Sequence, residues 1–150
     1  MIPFFSGLFP LQARRAYCAR HLKKGVVLRF LTQLTHPPKI KRVVVWGFDE
    51  SLDKIGLSFI NTDISNIRNT YFQGLQYHLP AKGRDYLDHD SYLDCSKIYE
   101  TCLEEVRNLL VDDPRRHLGD VSSGDLSAAS KLIVRATTIE PKLKKRYGFI

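Results

Sequence analysis

Between Val26 and Cys95 five β-type runs follow one another with no helical period between them, and this order restricts the fold more than any other feature of the chain. Val26-Val27-Leu28-Arg29-Phe30-Leu31 is β-branched and aromatic, with Gly25 before it and the breaker cluster Thr35-His36-Pro37-Pro38 after it. Val43 to Phe48 reads as a second strand and Ile55 to Asn61 as a third, joined by a short polar hairpin connection. Leu75 to Leu79 and 91–95 supply two shorter strands. Consecutive strands without helical crossovers pair antiparallel, so the expectation is a mainly β fold with appended helices (α+β), its sheet curled into a small barrel.

Two helices are predicted after the strands. For a helix over 101–111, Cys102, Val106, Leu109 and Leu110 recur at helical spacing with Ile98 just before it, Thr101-x-x-Glu104 has the form of a capping box, and Asp112-Asp113-Pro114 stops the run. Over 123–136, Leu126, Ala129, Ile133 and Ala136 share one face behind Ser122. Each helix carries one apolar stripe, so each packs against the sheet.

The domain reading follows from these elements. Residues 1–21 read as an N-terminal extension, disordered or an artefact of start-codon choice, and 137–150 as a basic tail. Residues 22–136 form the domain between them. The apolar runs fall far short of the twenty or so residues a membrane span needs, so no membrane partner is expected. Cys18, Cys95 and Cys102 are odd in number and form no Cys-x-x-Cys pair, which suits a reducing cytoplasm.

Charge is segregated along the chain. Residues 1–48 hold nine Lys or Arg and no acid, 49–130 hold eight basic and fifteen acidic residues, and 131–150 hold six basic residues against Glu140 alone. A basic face drawn from both ends of the chain suits a polyanion, first of all nucleic acid. The plain alternative is a solvated basic surface.

The order of several segments resembles one known family. Gly25-x-Val27, Lys41-Arg42-Val43-Val44-Val45, Phe59-Ile60-Asn61-Thr62, Ser91-Tyr92-Leu93-Asp94 and Leu118-Gly119-Asp120-Val121-Ser122 are similar in sequence order to the MazF/PemK family of bacterial toxins. The resemblance implies an SH3-like barrel, a homodimer, metal-independent cleavage of single-stranded RNA, and an acidic antitoxin as protein partner. It also places the catalytic pair at Arg42 and Thr62, with Val43 standing where the family has a proline. Such a pair suits attack of a 2′-hydroxyl on phosphorus, since a guanidinium can hold the developing charge by two hydrogen bonds while a hydroxyl orients a phosphate oxygen. No cofactor is implied.

Further RNA contacts are expected from Arg29, Lys39 and Lys41 of the basic segment, from Asn61, and from Arg68, Tyr71 and Arg84, where aromatics and cations interleave within or beyond the polar segment 63–74. A catalytically inactive nucleic-acid- or protein-binding module on the same fold is the alternative. Without the resemblance, Arg42 is a charge that blunts a strand edge and Thr62 is turn chemistry. Asp88-His89-Asp90 with His78 and Asp94-Cys95 offers metal-ligand types, but three consecutive residues cannot all face one ion, so no metal site is expected.

Overall fold

The computed structural model of the chain describes residues 10–150. Seven strands form one antiparallel sheet: β1 (Val26–Thr32), β2 (Lys39–Phe48), β3 (Lys54–Asn61), β4 (Gln76–Leu79), β5 (Ser91–Asp94), β6 (Tyr99–Cys102) and β7 (His117–Asp120). Their order is β4-β5-β3-β2-β1-β7. β3 shares its outer edge between two partners, giving Ile60 and Asn61 to β5 and Lys54 to Leu57 to β6. The helices are α1 (Leu11–His21), α2 (Thr70–Gln73), α3 (Leu103–Asp112), α4 (Ser123–Arg135) and α5 (Pro141–Arg146), with a 3₁₀ turn over Pro114–Arg116.

The strands are antiparallel as expected, but β4 and β7 do not pair, so the sheet is open where a closed barrel was predicted. The physical reason lies in strands that are apolar on both faces. Val43 to Trp46 and Ile55 to Ile60 are buried without a break, so alternate side chains feed two cores. Val27, Val44, Trp46 and Ile60 pack with Ala129 and Ile133 of α4 on one side. On the other, Leu28, Val43, Val45, Leu57 and Phe59 pack with Cys18 of α1 and with Leu103, Val106 and Leu110 of α3. Helices on both faces satisfy such a sheet without closure.

The two expected helices are present, one of them shifted. Ser122 accepts the Asp125 amide at 3.1 Å and starts α4 as predicted. The capping box at Thr101 does not form. Thr101 pairs with Ile55 in β6, and α3 begins after Cys102 with no side-chain cap.

Both chain ends differ from expectation. Residues 1–9 of the expected extension lie outside the described residues, but from Leu11 the chain is helical and joined to the domain. Cys18 and Leu22 are buried, Arg14 Nη1 donates to the Val111 carbonyl at 2.9 Å, and the Tyr17 hydroxyl meets His117 Nδ1 at 2.7 Å. The basic tail is also folded. Lys144 Nζ caps α4 by donating to the carbonyls of Val134 and Ala136, Tyr147 is buried, and Phe149 lies edge-on to Trp46 at 5.3 Å. No helix among the described residues is long and apolar enough to cross a membrane.

Candidate nucleic-acid interface

One end of the β1–β2–β3 ladder runs past the helices that cover its centre. Arg29 of β1 stands directly opposite Arg42 of β2, and Arg42 stands opposite Ile60 of β3. Directly opposed side chains share a face, so the two arginine side chains leave the sheet side by side, next to an apolar neighbour. Arg42 Nη2 donates to Asp88 Oδ2 at 2.8 Å. The loop that carries Asp88 is anchored by buried Tyr86 and Leu87 before it, by Ala81 N donating to Asp90 Oδ1, and by Ser91 Oγ donating to the His89 carbonyl.

That arrangement has a definite chemical capacity. Among the described residues Arg42 Nε is buried and without a hydrogen-bond partner, so the Nη groups, of which Nη2 already meets Asp88, are the donors that can reach an anion. Asp88 is mostly solvent-exposed and is a candidate proton acceptor. Thr62 follows the last residue of β3 and is exposed, and among the described residues no hydrogen bond joins it to Arg42. The predicted catalytic pair is thus near in topology, with no hydrogen bond between its members among the described residues.

Lys41 and Asn61 occupy the opposite face. One rung beyond the Arg42–Ile60 pair, the Lys41 ammonium donates to Asn61 Oδ1 and lies 5.2 Å from the centre of the Phe59 ring. Burial, with Lys39 second, pushes the Lys41 pKa down, while Asp94 opposes the shift. Lys39 is exposed opposite Thr32. Asn61 stands opposite Tyr92 of β5, and Tyr92 stands opposite His78 of β4 with ring centres 5.0 Å apart.

The remaining expected contacts are dispersed. Arg68 is exposed in the segment between β3 and α2. Tyr71 is tied to the end of α4, its hydroxyl accepting from Thr137 N at 2.8 Å and donating to the Arg135 carbonyl at 3.3 Å. Arg84 makes a two-pronged bond to Asp125, Nε to Oδ2 and Nη2 to Oδ1, both at 3.0 Å. Tyr71 and Arg84 therefore fasten the two ends of α4 to α2 and to the connection between β4 and β5. His78 and Tyr92 are not among the RNA contacts expected from the sequence, and their only signal there is the two-residue alternation of Tyr77-His78-Leu79 and Ser91-Tyr92-Leu93.

Among the described residues no three His, Cys, Asp or Glu side chains converge on a metal-sized site. Burial, with Asp94 adding to it, pushes the Cys95 thiol up to about 12, which leaves negligible thiolate at neutral pH. No family model matches the chain, and no curated protein matches it significantly.

Proposed function

We propose that this protein binds single-stranded RNA and cleaves it without a metal ion, as the toxin half of a type II toxin–antitoxin pair. One observation carries the reading: Arg29 and Arg42 directly oppose each other at the exposed end of the sheet with Asp88 beside Arg42. Two like charges held together favour an anionic ligand that bridges them. In the cleavage step the 2′-oxygen bonds to phosphorus, the bond from phosphorus to the 5′-oxygen breaks, and the products are a 2′,3′-cyclic phosphate and a 5′-hydroxyl end. Asp88 takes the 2′-hydroxyl proton, Arg42 holds the charge that develops on the phosphorane, Thr62 orients a phosphate oxygen, and the leaving 5′-oxygen takes a proton from solvent.

The test is a 5′-labelled single-stranded RNA incubated with the protein in the presence of a chelator. Fragments ending in a cyclic phosphate, lost in Arg42→Ala by about 10²–10³ in rate, support the reading. A second reading, an RNA-binding module without catalysis, is favoured by the Arg42–Asp88 ion pair, which occupies the guanidinium that the cleavage step needs. Binding without fragments selects it, and neither binding nor fragments ends both.

Partners follow from the same surface. Among the described residues the edge of β1 away from β2 has no strand partner beyond Leu28, and Leu31 and Ile40 oppose each other, each 57% exposed. We place a two-fold homodimer contact there and an acidic antitoxin over the arginine pair, in the cytoplasm that the unpaired cysteines suit. Light scattering at twice the 17.3 kDa chain mass, falling to one chain mass in Leu31→Glu, is the expected result. A wild-type monomer at all concentrations excludes the dimer.

A further inference from the structure

On the face opposite Arg42, four polar or aromatic side chains form a straight row across four strands. Lys41 of β2 donates to Asn61 of β3, Asn61 stands opposite Tyr92 of β5, and Tyr92 stands opposite His78 of β4. The same face turns apolar and buried two residues along, at Val43 and Phe59 beneath α1 and α3. Along the row Lys41, Asn61 and Tyr92 are half-buried and His78 is exposed. The helices therefore stop short of it.

We propose that this row is a platform that stacks and reads unpaired bases of single-stranded RNA. The proposal rests on the RNA reading above and adds to it a binding site with no catalytic part. Three spacings between strands give the row a length of about 14 Å. Side chains on a sheet stand roughly perpendicular to it, and aromatic residues on an open sheet face stack unpaired bases. Tyr92 and His78 are suited to this because their rings meet at a tilt of 33° and not as a closed parallel stack. Asn61 uses its carbonyl on Lys41, which leaves its two amide protons for the edge of a base. Lys41 adds a positive charge for the backbone beside that base. Lys41 and Arg42 are consecutive residues on opposite faces, so one RNA strand turning over the sheet end meets the platform on one side and the phosphate-binding arginines on the other.

The experiment compares two oligonucleotides by fluorescence anisotropy: a mixed-sequence single-stranded RNA, and an abasic strand of equal length with the same phosphates. Wild-type protein binds the mixed RNA more tightly than the abasic strand. Tyr92→Leu weakens binding of the mixed RNA by roughly 5- to 100-fold and leaves the abasic strand unchanged, whereas Tyr92→Phe keeps wild-type affinity. His78→Ala, at an exposed position that does not threaten folding, moves affinity in the same direction. Equal wild-type affinity for both strands overturns the platform whatever the variants do. Tight binding of mixed RNA that Tyr92→Leu and His78→Ala leave untouched also overturns it while the RNA reading stands. Failure of the wild type to bind either strand overturns both.

Discussion

Arg29 and Arg42 face each other across two antiparallel strands, a directly opposed like-charge pair that a sheet selected for stability alone would not keep. Asp88 neutralises part of it through Arg42. Replacing Arg29 with threonine, a good strand former, removes the repulsion and raises stability by about 0.2–1 kcal/mol. The midpoint of thermal unfolding then rises by up to about 2–4 °C for a domain of this size. Affinity for single-stranded RNA falls in the same variant, and the slope of log affinity against log salt shrinks by about 0.7 for one lost phosphate contact. A variant that is less stable, or one whose salt slope is unchanged, contradicts the assignment of Arg29 to phosphate.

Arg84 and Asp125 give the opposite case, a pair kept for the fold. Asp125 is 8% exposed and accepts from Arg84 twice and from the Tyr77 hydroxyl at 2.7 Å. Arg84→Ala leaves a buried carboxylate without its cation and destabilises the protein by about 3 kcal/mol. The bonds from Arg84 are the main reason that the Asp125 carboxyl titrates below its usual range, with Tyr77 helping and burial opposing. Because the folded value is the lower one, this stabilisation is fully present above about pH 4 and is lost as pH falls through the depressed folded pKa. Urea midpoints measured from pH 7 to pH 2.5 should show that acid branch in the wild type and a shallower one in Arg84→Ala.

How much of this was legible in the sequence depends on how local each signal is. β1, β2, β3 and α4 follow from unbroken apolar runs, breakers and a cap that lie within a few residues of one another. α1 carries its arginines all round and reaches the core chiefly through Cys18, so Leu11-Gln12-Ala13-Arg14-Arg15 shows no apolar stripe to read. β6 holds Thr101 and leads straight into α3, which made its last residues look like the start of a helix. The continuous burial of Val43 to Trp46 was visible as an apolar run, but whether a strand is buried by helices on two faces or by barrel closure is decided by packing partners far away in the chain. The same limit applies to the site. Arg84 meets Asp125 across 41 residues and Tyr71 meets Thr137 across 66, so their fastening role has no local signature. The opposition of Arg29 and Arg42 needs the register of a hairpin, which spacing alone does not supply.

The docking of α1 should respond to pH. The His21 and His117 rings lie 4.8 Å apart, Tyr17 contacts both, and Arg20, Lys23 and Asp120 surround them. Burial is the first cause that holds the His21 pKa below its ordinary value, followed by the neighbouring His117 and Arg20, with Asp120 acting the other way. A histidine with a lowered folded pKa is neutral in both states above about pH 6.5. As pH falls below that value the unfolded segment takes up its proton first, so stability is lost. Amide exchange across Leu11–His21 should quicken between pH 7.5 and 5.5, after correction for intrinsic rates, and His21→Gln should flatten the response. Equal protection at both pH values would remove His21 from the contact.

Gly56 and Tyr147 supply the last test. Gly56 lies in β3 between Gly47 of β2 and Glu100 of β6, and the Tyr147 ring covers it so closely that an added Cβ would stand 2.9 Å from Cε1 and Cζ. The ring has little room to retreat, because Tyr147 is buried and its hydroxyl donates to Glu100 Oε2 at 2.7 Å, an oxygen that Arg146 also contacts. Gly56→Ala should therefore destabilise the protein by about 1–3 kcal/mol through overpacking. The backbone argument alone predicts the reverse, since glycine in a strand interior is about 0.5–1 kcal/mol worse than alanine. A double-mutant cycle separates the two effects. With Tyr147→Ala as the background the ring is gone, and Gly56→Ala should become neutral or stabilising. If Gly56→Ala costs the same in both backgrounds, the C-terminal segment does not press on β3.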